Sequence, residues 1–218
     1  FDSRVPKRQA AAMLLWFGIF LLAAGLASFA VDRRAVHFFH DRIPVRLHRR
    51  IARTTDWAKG AYWLALSATV FVVSQAAIWI WGSTPLLESW ARTSLAYLAS
   101  LAIGSAILHS IKTLLGRRRP RDELELKQFG FRPFHFDLQY DSFPSGHALT
   151  IFCVAVIASA VVPVLAPLWF VIALYLAMTR VFLNAHFLSD VLIGSAVGLL
   201  TTRETVFYLF PILFQPWF

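Results

Sequence analysis

Residues 143–162 read Phe-Pro-Ser-Gly-His-Ala-Leu-Thr-Ile-Phe-Cys-Val-Ala-Val-Ile-Ala-Ser-Ala-Val-Val. From Ala148 onward only Thr150 and Ser159 are polar, so the run is a helix meant for apolar surroundings on every side. Its entrance is built differently. Pro144 sets a turn, Ser145 suits the N-cap, and Gly146 lets the backbone approach a ligand closely. His147 falls in the first turn. Free backbone N–H groups, a positive helix end and an imidazole coincide there, and a phosphate needs little more. A serine cap and an interfacial histidine are also ordinary at helix starts, so this stretch alone leaves the chemistry open.

Outward from this run the chain keeps its apolar character. Of 218 residues 58% are hydrophobic, with twenty Phe and eight Trp. That is too apolar for a soluble domain of this size, and several runs approach the roughly 20 residues that cross a bilayer. The expected fold is all-α: one polytopic membrane domain over residues 1–218, with six transmembrane helices and an interfacial amphipathic helix. The spans fall at about 10–31, 60–81, 91–111, 145–162, 168–183 and 189–210.

Several features refine this layout. The first run follows Arg4, Lys7 and Arg8, and Ser28-Phe29-Ala30 resembles a signal-peptide cleavage site. The run is long for a signal core, so it reads as a retained span. Between the first two spans Ile43, Leu47 and Ile51 recur every four residues among arginines. That pattern fits a helix lying in the headgroup layer, with a solvated basic loop as the plainer alternative. Gly194 and Gly198 fit close packing within the chain, with dimerisation as the alternative. The net charge of +9 sits beside the spans, which points to anionic headgroups or to the positive-inside rule rather than to nucleic acid. The one cysteine, Cys153, has no partner in the chain for a disulfide.

Alternation of six spans brings the ends of the first, third and fifth, and the starts of the others, to one face. Three polar clusters meet there. Lys112 at a span end is followed by Arg119-Pro120; alone this is an anchoring charge pair. The Ser145–His147 entrance is the second. The third holds Arg180, His186 and Asp190. An arginine well inside a bilayer costs roughly 2.5–3.5 kcal/mol or more, so Arg180 needs a partner. His186 and Asp190 stand four apart at a helix start. A carboxylate there fixes an imidazole tautomer and frees the other nitrogen, or it simply caps the helix. His109 lies on the Lys112 side of its span, and Arg117, Arg118 and Arg121 stand ready for a second phosphate or as plain surface charge. Phe131, Phe134, His135 and Phe136 fit an interfacial belt or a lid.

Taken together the pattern KxxxxxxRP, PSGH and RxxxxxHxxxD, in this order and on one face, resembles the type 2 phosphatidic acid phosphatase superfamily, whose soluble relatives are the vanadium haloperoxidases. All three motifs match without a substitution. The resemblance implies that Lys112, Arg119 and Arg180 bind phosphate oxygens, with Ser145 and the Gly146 N–H completing the cradle. It implies His186 as the nucleophile, Asp190 as the residue that orients it, and His147 as the acid that protonates the leaving group. No metal or other cofactor is implied. The expected substrate is a phosphate on a membrane lipid, such as lipid A 1-phosphate, a polyprenyl diphosphate or phosphatidylglycerol phosphate. A lipid phosphotransferase, or an inactive scaffold or transporter, is the alternative.

The site face carries every Lys and Arg except Arg4, Lys7, Arg8, Arg92 and Arg203. The positive-inside rule would turn that face to the cytoplasm. The resemblance implies the opposite, a periplasmic or lumenal site with cytoplasmic termini. The small size and six spans point to a bacterial inner membrane protein with a periplasmic site, expected to be a monomer or weak oligomer.

Overall fold

A computed structural model describes residues 4–134 and 140–214, and its regular structure is entirely helical. In chain order the helices are α1 (Arg4–Ser28), α2 (Asp32–Arg42), α3 (Val45–Thr54), α4 (Gly60–Trp81), α5 (Pro85–Leu115), α6 (Pro120–Leu126), α7 (Gly146–Val161), α8 (Ala166–Phe182) and α9 (Leu188–Leu209). The six long ones fall where the six spans were expected. Among the described residues four segments are long and apolar enough to cross a membrane: Ala11–Ser28, Val45–Trp81, Pro85–Leu115 and Pro163–Phe182. Helix α7 is as apolar but has 16 residues, about 24 Å. Helix α9 dilutes its hydropathy with Gly, Ser and Thr and with Asp190, Arg203 and Glu204. The chain is a polytopic helical membrane protein.

Helix α9 packs against α1, α5, α7 and α8, and α7 packs against α4, α5, α8 and α9. Helices α4 and α7 are both apolar all round. Yet α7 is buried over most of its length, while α4 keeps only Ser74 and Ala77 fully buried and leaves most of its other residues exposed. One sequence signature serves a central helix and a lipid-facing one; neighbours decide which. The α7–α9 contact is made by glycine. Gly194 lies against the Ser145 carbonyl and Gly198 against the Leu149 carbonyl, so close that a Cβ at either would overlap the backbone. The GxxxG pattern serves packing inside the chain.

Two boundaries differ from expectation. Helix α5 begins at Pro85, six residues before the expected start, leaving residues 82–84 as the connection. Proline here opens a helix: Thr84 caps it by accepting from Leu87 N at 3.3 Å, and Arg92–Glu88 pair at 2.6 Å one turn on. Residues 32–59 form two helices and a 3-10 turn rather than one helix. Helix α3 is the amphipathic one, with Ile51 buried and Arg46, Arg49, Arg50 and Arg53 exposed. Leu47 and Val45 are exposed too, which suits a helix whose apolar side meets lipid. The C-terminal ends of α1, α5 and α8 and the N-terminal ends of α4, α7 and α9 share one end of the bundle.

Replacing Gly198 by Ala should force α7 and α9 apart at Leu149 and cost about 1–3 kcal/mol. The check is the thermal unfolding midpoint in detergent, which should fall; an unchanged midpoint would mean that the close approach is absent.

Candidate active site

The α7 entrance carries Ser145 in the N-cap position, with φ −77° and ψ 118°, but its hydroxyl makes no capping bond. That Oγ is buried without a partner, while the Ser145 N–H donates to the Asp190 carbonyl at 2.9 Å. The Gly146 and His147 N–H groups open the helix and so have no acceptor within it. His147 is half-buried, near the cations Arg180 and Lys59.

Cations arrive from three other helix ends. Lys112, in the last turn of α5, donates to the Asp141 carboxylate at 2.5 Å and to the Asp141 carbonyl at 2.9 Å. Helix α5 stops just beyond it at Gly116, whose φ of 50° favours glycine and whose N–H closes on Lys112 O at 2.8 Å. Arg119 caps α6 and reaches Asp141 at 3.5 Å. Arg180, in the last turn of α8, has a hydroxyl as its partner: NH1 meets Thr55 Oγ1 at 3.4 Å. The Nε atoms of Arg119 and Arg180 are buried with no partner among the described residues. Three donors, Ser145 Oγ and these two, are therefore held away from water at one end of the bundle with no acceptor. Such groups are costly unless a ligand satisfies them.

His186 sits in the turn between α8 and α9, which Asn184 opens in the left-handed conformation expected for it, φ 52°. Its Nδ1 lies 2.7 Å from the Ser142 carbonyl. A carbonyl only accepts, so Nδ1 carries the proton and Nε2 keeps a free lone pair. Burial, partly offset by Asp190, lowers the His186 pKa below its ordinary 6.5, with Arg180 and Lys112 adding to the fall. The imidazole is neutral at pH 7.

Asp190 does not orient His186 directly. Its nearest oxygen is 3.7 Å from Nδ1. The position explains this: Asp190 is the third residue of α9, where the free N–H of Phe187 captures its carboxylate at 2.9 Å. Ser142 Oγ donates to the same oxygen at 2.5 Å. Asp190 thus acts on His186 through Ser142.

The other carboxylate oxygen accepts from Arg117 at 2.5 Å. Arg117 is not a headgroup ligand, as its place in an arginine run allowed; it has no exposed surface. Its guanidinium also donates to Asp32 at 2.7 Å and to Ser189 Oγ at 2.7 Å, and four rings enclose it: Phe187, Phe29, Phe131 and Phe129, at 4.0–5.3 Å. Asp32 closes the network by accepting from Ser189 N at 3.0 Å. Arg118 is taken up by Tyr140 at 2.7 Å. Arg121 alone of that run is largely exposed, on a cleft of about 470 Å³ shared with Arg119, His40, His48 and Asn184. His109 faces outward on α5 and Phe134 is exposed, while Phe131 covers Arg117. His135 and Phe136 lie outside the described residues.

Asp32, Thr55, Asp141 and Ser142 were not singled out in the sequence. A signal was present for two of them: Asp141-Ser142 directly precedes the Phe143–His147 motif. Asp32 opens the arginine-rich stretch, where an acid reads as surface charge.

Residues 93–212 match the PAP2 superfamily. Lipid A 1-phosphatases of Rhizobium etli and Rhizobium johnstonii are each 35% identical over 104 residues, covering 47% of this chain. The match covers 45% and 43% of those proteins, so the chain spans under half the length of the curated relatives it matches. The fold is that of a transmembrane PAP2 type phosphatidylglycerolphosphate phosphatase from Bacillus subtilis, with a TM-score of 0.65 at 23% identity over 93% of this chain and 96% of that one. Aquifex aeolicus LpxE gives a TM-score of 0.60 at 17% identity, over 82% and 96%.

Replacing Arg117 by Met leaves two buried carboxylates without their cation, a loss of about 3–5 kcal/mol. Asp32→Asn keeps the Arg117–Asp190 pair and should cost less. Unfolding midpoints in detergent should fall in the order wild type, Asp32→Asn, Arg117→Met.

Proposed function

The chain belongs to the PAP2 superfamily, and from that premise we propose that it removes phosphate from a membrane lipid through a phosphohistidine on His186, without a metal ion. The observation that carries this reading is that three buried donors, without a partner among the described residues, share one end of the bundle with a neutral histidine whose Nε2 keeps its lone pair. Lys112, Arg119 and Arg180 would hold the phosphate oxygens together with Ser145 Oγ and the Gly146 N–H, offsetting the charge of the transition state. His186 Nε2 attacks phosphorus, the bond to the leaving oxygen breaks, and His147 gives that oxygen its proton. The Asp190 carboxylate behind Ser142 favours the positive ring that forms. Water then attacks phosphorus, its proton passes to His147, the P–N bond breaks, and inorganic phosphate leaves with His186 neutral again.

Among lipid phosphates we favour lipid A 1-phosphate, the substrate that the names of both Rhizobium relatives carry. The polar cleft beside Arg119 suits a large hydroxylated headgroup. We place the site at the membrane surface of a single six-span domain, on the periplasmic side of a bacterial inner membrane. The buried acids Asp32, Glu123 and Asp190 offset part of that face's positive charge.

The test is phosphate release from lipid A 1-phosphate, undecaprenyl diphosphate and phosphatidylglycerol phosphate, with and without vanadate. Release should be fastest from the first and blocked by vanadate, and His186→Ala should lose roughly 10³-fold or more. Because His186 must be neutral to attack, the rate should fall on the acid side at a pH below 6.5, following its lowered pKa. Transfer of labelled phosphate to another lipid, with none free, would make the protein a phosphotransferase.

Sidedness has its own check. Gln128 is exposed, and the native Cys153 is fully buried and gives no background. Gln128→Cys should react with an impermeant thiol reagent in intact cells; reaction only after lysis would put the site in the cytoplasm.

A further inference from the structure

Asp141 stands inside the proposed site but has no part in the chemistry above. Its carboxylate lies on two of the three phosphate-binding cations, 2.5 Å from Lys112 Nζ and 3.5 Å from Arg119 NH2. Unlike Asp32 and Asp190, which have no exposed surface, its side chain is about a third exposed (34%). The backbone around it is fixed. Ser142 N donates to Arg117 O at 3.0 Å, and the Ser142 carbonyl and hydroxyl hold His186 and Asp190. The carboxylate is thus delivered to Lys112 and Arg119 by the same dipeptide that sets the nucleophile.

Resting on the reading of this site as a phosphatase centre, we propose that Asp141 is an internal anion that competes with inorganic phosphate for Lys112 and Arg119 and so speeds product release. The argument is electrostatic. Three cations and a helix N-terminus bind any phosphate dianion, including the free product of each turnover. Asp141 cuts the charge of the three-cation set from +3 to +2, and it repels an incoming dianion at close range. Substrate and product bear this equally at the phosphate. The lipid substrate has further contacts through its headgroup and chains to hold it, whereas inorganic phosphate has none. Asp141 therefore weakens product retention more visibly than substrate capture.

The experiment titrates inorganic phosphate and vanadate onto the purified full chain in detergent, reading ligand-induced thermal stabilisation, and measures kcat and KM on the lipid phosphate. Asp141→Asn should bind inorganic phosphate on the order of tenfold or more tighter, with KM and kcat both falling as product leaves slowly. Asp141→Glu, which keeps the charge, should stay near wild type. Asp141→Ala should repeat the Asn result and guards against a folding defect specific to the amide. Phosphate binding that is unchanged or weaker in Asn and Ala, with KM raised, overturns the proposal and leaves Asp141 a structural brace. Wild-type protein that binds neither phosphate nor vanadate overturns the phosphatase reading itself.

Discussion

A guanidinium with no route to water holds the catalytic end of this bundle together. Burying Arg117 is costly, and the cost is met by two carboxylates, a serine hydroxyl and four aromatic faces. Asp32 and Asp190 together outweigh its single charge, so the network carries one net negative charge. That charge lies behind Ser142 and His186. The site pairs a negative interior with a positive rim of Lys112, Arg119 and Arg180. In the proposed phosphoryl transfer, positive charge would develop on the imidazole and negative charge toward the rim, and each would meet its complement.

Backbone contacts make the two histidine-bearing turns one rigid piece. Ser145 N donates to the Asp190 carbonyl at 2.9 Å, joining the first turns of α7 and α9, and Gly194 lets the strap at Ser145 settle directly on α9. Thr55 does similar work on the other side, linking the 3-10 turn after α3 to Thr179 at 2.8 Å and to Arg180. The interfacial arginine-rich stretch is therefore part of the site wall rather than a separate anchor.

The chain displays its helices openly because apolar runs and prolines are local signals. The spans at 60–81 and 145–162 fall within a residue of α4 and α7, and the three motifs name the cations, the serine and the histidines gathered at one end of the bundle. The Asp190 contact was only partly legible, because i, i+4 spacing says which groups are near but not that a helix N–H will also take up the carboxylate. Arg117 was harder. Within Arg117-Arg118-Arg119 nothing local tells which side chain is buried; that depends on Asp32 and Asp190, 85 and 73 residues away. Asp141 poses the same problem, since its meaning comes from Lys112 across a separation of 29 residues.

Those separations have a consequence for how the protein is made. Asp32 follows the first span, Arg117 the third, and Asp190 opens the last. A ribosome delivers them in that order, so Arg117 meets Asp32 first and the pair waits in the membrane with one carboxylate missing. His186 and its support arrive only with the final helix. Chains that stop before α9 hold Arg117 with Asp32 but without Asp190, an unfinished ion network. Insertion of α9 is the step that brings Asp190 to Arg117 and closes the ion network.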